Sequence, residues 1–159
     1  MAIKKILTEP DPFLRQKSKK VEKVDDTIRS LMDDMLETMY DAPGIGLAAI
    51  QIGVPKRIIV IDLAKDSEEK KPMYLINPEI ISKSNKDATY EEGCLSVPNQ
   101  FAEIDRPEKC HIKFLDYNGK EQSLDAKGLL ATCIQHEMDH LEGILFIDYL
   151  SKLKKKHDN

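Results

Sequence analysis

The segment QHEMDHLEG, residues 135–143, sets two histidines four positions apart with a glutamate between them. On a helix, such positions differ in direction by only about 40° and stand one turn apart. His136 and His140 can therefore aim both imidazoles at one ion, and Glu137 lies beside that ion, where it can exchange a proton with water. The helix carrying the motif is predicted over about residues 125–141, closed by Gly143. It decides the fold, because most of the segments between residue 57 and its start read as strand.

Working outward, RIIVIDL (57–63) is a dense β-branched run and is predicted as a buried strand. MYLINPEIISKS, ATYEEGCLSV and FAEIDRP read as strands punctuated by Pro, Asn and Gly. KCHIKFLDYNGKEQSLDA alternates apolar and polar residues across Asn118-Gly119, a hairpin signal. One more helix is predicted over 27–40, where Ile28, Leu31, Met32, Met35, Leu36, Met39 and Tyr40 fall at helical spacing after an Asp25 or Asp26 N-cap. The expected fold is α+β, with mostly antiparallel strands packed around a central helix that carries the HExxH motif. AKDSEEKKP is expected to be a solvated loop and KLKKKHDN a solvated tail.

The chain has 159 residues, a length for one domain, expected to span 1–159 with about 150–159 as an exposed tail. Hydrophobic residues at 41% and charged residues at 33% describe a folded globular protein rather than a disordered one. A net charge of −4 gives no footprint for nucleic acid. The opening MAIKKILTEPDP is not a signal peptide, and no stretch approaches a membrane span, so the cytoplasm is the expected compartment. Cys94, Cys110 and Cys133 are an odd number in such a chain, which argues against disulfides.

A catalytic metal needs a third protein ligand. The peptidase extension HExxHxxGxxH is followed as far as Gly143 and then fails, because Phe146 stands at the last position. Glu142 points about 200° around the helix from His140, and Cys133 lies roughly 10 Å along it. Asp148 is conceivable but sits in an apolar run, and His157 is in the lysine tail. Cys110 and His111 read as ordinary sheet residues. Cys94 stands in EEGCLS, where Gly93 interrupts a strand pattern and permits an unusual backbone approach; paired with HExxH, it is the favoured candidate.

Taken together, GIGLAAIQ (44–51), EGCLS (92–96) and QHEMDH (135–140) resemble the peptide deformylases of bacterial type, in that family's order and over nearly the whole chain. The resemblance implies metal ligands at Cys94, His136 and His140, and Glu137 as general base and acid. It implies oxyanion donors at the Leu95 backbone N–H and the Gln51 amide. Gly44, Ile45 and Gly46 would meet the substrate main chain as an added strand does, and Leu129 and Cys133 would contribute to a methionine pocket. The substrate would be the N-formylmethionyl end of a nascent chain, released as formate and a free amine, near the ribosome and with no specific nucleic acid or membrane partner. A monomer is expected. The implied cofactor is one divalent ion, Fe(2+) in the cell, with Zn(2+), Ni(2+) or Co(2+) in preparations; a thiolate ligand suits a softer, oxidisable ion.

Phe101 departs from the family, which commonly has arginine there, and Thr132 replaces a frequent apolar residue. GIGLAA also fits the dinucleotide fingerprint GxGxxA, but a helix precedes it and Val54-Pro55 leaves little room for a crossover helix. Two other readings compete: a general metallopeptidase, which wants a downstream acid ligand, and a binding module with a structural metal, which wants a fourth protein ligand.

Overall fold

The computed structural model describes residues 2–64 and 69–150. The loop expected at 64–72 lies partly outside the described residues, as does the tail expected from about residue 150. In chain order the strands are β1 (Gly46–Ala48), β2 (Ile58–Ile61), β3 (Met73–Lys83), β4 (Asp87–Cys94), β5 (Val97–Pro107), β6 (Lys109–Leu115) and β7 (Glu121–Lys127). Helix α1 (Asp26–Asp41) precedes β1, and α2 (Gly128–Leu141) follows β7; short 3-10 turns occupy Pro12–Arg15 and Ala49–Ile52.

Five strands form one sheet in the order β1-β2-β3-β6-β7, and β4–β5 is a separate hairpin. Every strand pairing is antiparallel. The run IIVI in β2 is apolar without alternation because the sheet is covered on both faces. Ile59 and Ile61 join Leu75, Ile112 and α2, whereas Ile58 and Val60 join Met32, Met35 and Met39 of α1. Helix α1 begins at the expected place: the Asp25 side chain accepts a hydrogen bond from the Ile28 N–H at 3.0 Å, satisfying one of the donors left open at a helix start.

Helix α2 is the central element. Ala131 through Glu137, together with His140 and Leu141, are all buried. The sequence predicts it from about residue 125, but 125–127 belong to β7, where Asp125 opposes His111 and Lys127 opposes Lys109. The ladder therefore outcompetes the helical pattern until Gly128, whose φ of +62° makes the corner. The far end follows expectation. Gly143 has φ +75°, its N–H donates to the His140 carbonyl at 3.2 Å, and the Ile144 N–H donates to the Asp139 carbonyl at 2.9 Å. This double closure satisfies carbonyls that a helix end leaves open.

Candidate metal centre and cleft

A helix and a separate hairpin bring the ligands together. α2 projects His136 and His140 from one face, and the tight turn between β4 and β5 delivers Cys94. A ligand atom from each of the three lies within 4.8 Å of the others. Cys94 Sγ stands 3.3 Å from His140 Nε2. Around a tetrahedral ion with bonds of about 2.0–2.3 Å, ligand atoms are about 3.3–3.8 Å apart, so the set closes on an ion with roughly 1 Å of movement. Glu137 Oε1 is buried with no hydrogen-bond partner among the described residues and lies 4.0 Å from His140 Nε2. A carboxylate oxygen left that way is costly unless water or a cation meets it. The donor set and the orphan oxygen both fit a divalent ion.

Asp148 is excluded as a ligand. Residues 147–150 turn into a helix, and the carboxylate accepts from Arg15 at 2.6 Å and from the Leu145 N–H at 3.0 Å. Glu142 faces outward and pairs with Arg57 at 2.9 Å. His111 pairs with Asp125 at 2.6 Å on the exposed side of the sheet, and Cys110 is buried in the core.

Sequence reasoning misses the residues that hold the ligands. Glu92 Oε1 lies 2.9 Å from His136 Nδ1, which leaves Nε2 for the site. Glu92 in turn accepts two bonds from the buried Arg106, at 2.7 and 3.0 Å. Arg106 also donates to Asp139 at 2.8 Å, and the Tyr149 hydroxyl donates to the same Asp139 oxygen at 2.6 Å. A signal for Glu92 exists in retrospect: in a strand, alternate residues share a face, and Glu92 is two positions before Cys94.

Charge is finely set here. Burial favours the neutral acid of Glu92, yet the bonds from His136 and Arg106 win and hold it below its ordinary value. Burial opposes charge on His136 as well, but Cys94 and Glu92 draw its pKa up to about 10. His140 moves the other way: burial and the neighbouring His136 charge hold it well below its ordinary value. Burial lifts Glu137 to about 7, close to the point where one carboxyl can both take and return a proton.

Gln51 is buried, with its orientation fixed from both ends. Its Oε1 accepts from the Ala48 N–H at 2.9 Å, which turns Nε2 toward Ser96 Oγ (3.0 Å) and Cys94 Sγ (3.7 Å). The GIGLAAIQ segment supplies β1 and the following 3-10 turn rather than a phosphate-binding loop. Its glycines are there for close approach: a Cβ on Gly46 would meet Glu137 Oε2 at 2.6 Å, and one on Gly44 would meet Leu95 Cδ1 at 2.6 Å.

A cleft of about 450 Å³ opens onto this cluster, lined by Gly44, Ile45 and Gly46 on one side and Leu129, Thr132 and Cys133 on the other. Cys94, Leu95, His136 and Glu137 also line it. Thr132 Oγ1 is buried without a hydrogen-bond partner among the described residues. Phe101 lies on the rim, 68% exposed, with its ring across Gly93. Of the sequence-predicted residues, Gln51 and the buried His140 are absent from the cleft wall, both standing behind Cys94.

The sequence profile described as "Polypeptide deformylase" matches residues 3–156. The peptide deformylase of Pelagibacter ubique is 69% identical over 155 residues, covering 98% of this chain and 90% of that one. That of Phenylobacterium zucineum is 63% identical over 156 residues, covering 98% and 92%. Among solved structures, peptide deformylase from Ehrlichia chaffeensis in complex with actinonin superposes with a TM-score of 0.91 at 46% identity, covering 99% of this chain and 94% of that one. The enzyme from Legionella pneumophila gives 0.89 at 48% identity, covering 98% and 90%.

Proposed function

Since this chain belongs to the polypeptide deformylase family and is, by that membership, a hydrolase that removes N-formyl groups, we propose that it acts as one domain on the N-formylmethionyl end of nascent polypeptides. The reading rests chiefly on one observation: Cys94, His136 and His140 converge beside a buried carboxylate with an unpartnered oxygen. Three protein ligands suit a catalytic site, whereas a structural ion is normally closed by four.

Cys94, His136 and His140 would hold a divalent ion, which would supply Lewis-acid polarisation and acidify water there. Fe(2+) is the ion proposed for the cell, with Zn(2+), Ni(2+) or Co(2+) able to replace it, because a thiolate donor favours softer metals. Glu137 takes a proton from the attacking water and returns it to the departing amine. The Leu95 N–H and the Gln51 amide donate to the oxygen that becomes negative. The Gly44–Gly46 edge of β1 pairs with the peptide backbone, as an added strand would. Leu129, Thr132 and Cys133 receive the methionine side chain.

No helix among the described residues is long and apolar enough to cross a membrane. The proposed setting is the cytoplasm, close to the ribosome, with the chain as a monomer. The test is anaerobic purification, metal analysis and measurement of formate released from formyl-Met peptides. One metal per chain with formate release is expected. A metal-loaded protein that releases no formate, or that cuts internal peptide bonds, would overturn the reading.

A further inference from the structure

The two proposed oxyanion donors sit on elements that no strand ladder joins: Gln51 follows β1 of the five-stranded sheet, and Leu95 lies in the turn of the separate β4–β5 hairpin. Their relative placement needs another tie, and the N-terminal segment provides one. The Leu7 N–H donates to the Gln51 carbonyl at 2.7 Å, and the Glu9 N–H donates to the Ser96 carbonyl at 2.8 Å. Two residues of one short segment thus grip the backbone of both turns. A third tie runs directly between them, from Gln51 Nε2 to Ser96 Oγ at 3.0 Å, and Ser96 is fully buried.

The segment is itself anchored at both ends. Near its start, the Ala2 N–H donates to Asp34 at 2.6 Å and the Lys4 N–H donates to Thr38 Oγ1 at 2.8 Å, both on α1. Near its finish, Glu9 lies 3.7 Å from Arg15, which also pairs with Asp148 beyond α2. The backbone ties of the segment touch neither a proposed metal ligand nor the cleft wall that receives methionine; Gln51 Nε2 alone also reaches Cys94 Sγ, at 3.7 Å.

We propose that residues 2–9 form a strap that sets the spacing of the two oxyanion donors, and that Ser96 is the positioning residue through which it acts. This rests on the donor roles proposed above for Gln51 and Leu95. Donors fixed in advance stabilise the transition state without reorganising, so the strap serves the chemical step and leaves metal and substrate binding alone. Displacing a donor by about 1 Å can cost up to roughly a hundredfold in rate.

The test compares wild type, a deletion of residues 2–9, Ser96→Ala and Gln51→Ala, with both strap variants repeated on the Gln51→Ala background. Measured are kcat and KM on a formyl-Met peptide, Co(2+) affinity by chelator competition, and the melting temperature. The expected result is a kcat lowered by about tenfold or more in the deletion, a smaller loss in Ser96→Ala, and unchanged KM and Co(2+) affinity. Both losses should shrink on the Gln51→Ala background, because the donor being positioned is gone. If the deletion does not fold, the Ser96→Ala cycle alone decides. The strap proposal is overturned if kcat survives, or if kcat falls by the same factor whether or not Gln51 is present. A wild type that releases no formate would instead overturn the proposed function.

Discussion

Cys94 and Cys110 are the same residue type in different surroundings, and the difference is testable. Cys110 is buried among Ile112 and Ala126, where burial pushes its thiol up and away from metal chemistry. Cys94 faces two imidazoles, at 3.3 Å from one of them. Cys94→Ser should lose most metal and activity, since a neutral hydroxyl replaces a thiolate poorly; Cys110→Ser should keep both, and metal analysis with formate release distinguishes them. Glu137→Gln should retain the metal and lose turnover, because an amide cannot carry the proton. Normal turnover in the metal-loaded variant would remove Glu137 as the base. Gln51→Ala should raise the barrier by about 2–4 kcal/mol, the usual cost of one oxyanion donor.

At the scale of elements, α2 depends on how its ends and its ligands are held. Gly143 combines positive φ with a Cβ position only 2.3 Å from the Arg15 carbonyl oxygen. Gly143→Ala should therefore destabilise the fold by more than the roughly 1–3 kcal/mol of left-handed strain alone, read as a lower denaturation midpoint. Glu92→Ala should act on the centre instead. It frees the His136 ring and removes two of the bonds that hold Arg106, so metal affinity should drop about 10–100-fold by chelator competition. An unchanged affinity would mean that the ring is oriented by packing against Phe146, 6.0 Å away between centroids, rather than by the carboxylate. Helix α1, the β2 run and the Asn118-Gly119 hairpin were legible because each is a local pattern with a local cause. The start of α2 was not, since a sheet ladder competing with a helix leaves no local trace. The Glu92–Arg106–Asp139 chain was not legible for a related reason: its partners meet only after β4, β5 and α2 have assembled. The grouping of Cys94, His136 and His140 was readable by contrast because two lie one helical turn apart and the third belongs to a recognisable segment.

At the scale of the whole molecule, the cleft lies where two separate β structures face each other across α2. Strand β1 is an edge of the five-stranded sheet, and an edge presents unpaired N–H and C=O groups that an extended peptide can meet. Opposite it stands the β4–β5 turn, with the Leu95 side chain seated against Gly44. That contact leaves little room beside the ligands, so the group to be removed must be small. A formyl hydrogen fits such a place, whereas the methyl of an acetyl group would overpack it, at about 1–3 kcal/mol. Further along, in the proposed methionine pocket, burying that side chain against Leu129 and Cys133 would contribute about 1.5–3 kcal/mol when complete, and aspartate would gain nothing comparable. The rim adds a third filter, because Phe101 offers an exposed ring while Glu91 beside it on the cleft wall is acidic, so acidic substrate residues after the methionine should be disfavoured. The expected order of kcat/KM, measured anaerobically with the ferrous enzyme, is formyl-Met peptides first, with formyl-Asp and acetyl-Met peptides far below. Phe101→Arg should improve formyl-Met peptides that carry glutamate after the methionine and leave their alanine counterparts nearly unchanged. Equal rates on formyl-Met and acetyl-Met would mean that the tight wall between Gly44 and Leu95 does not select the acyl group, and a Phe101→Arg profile identical to wild type would place the substrate's later residues away from that rim.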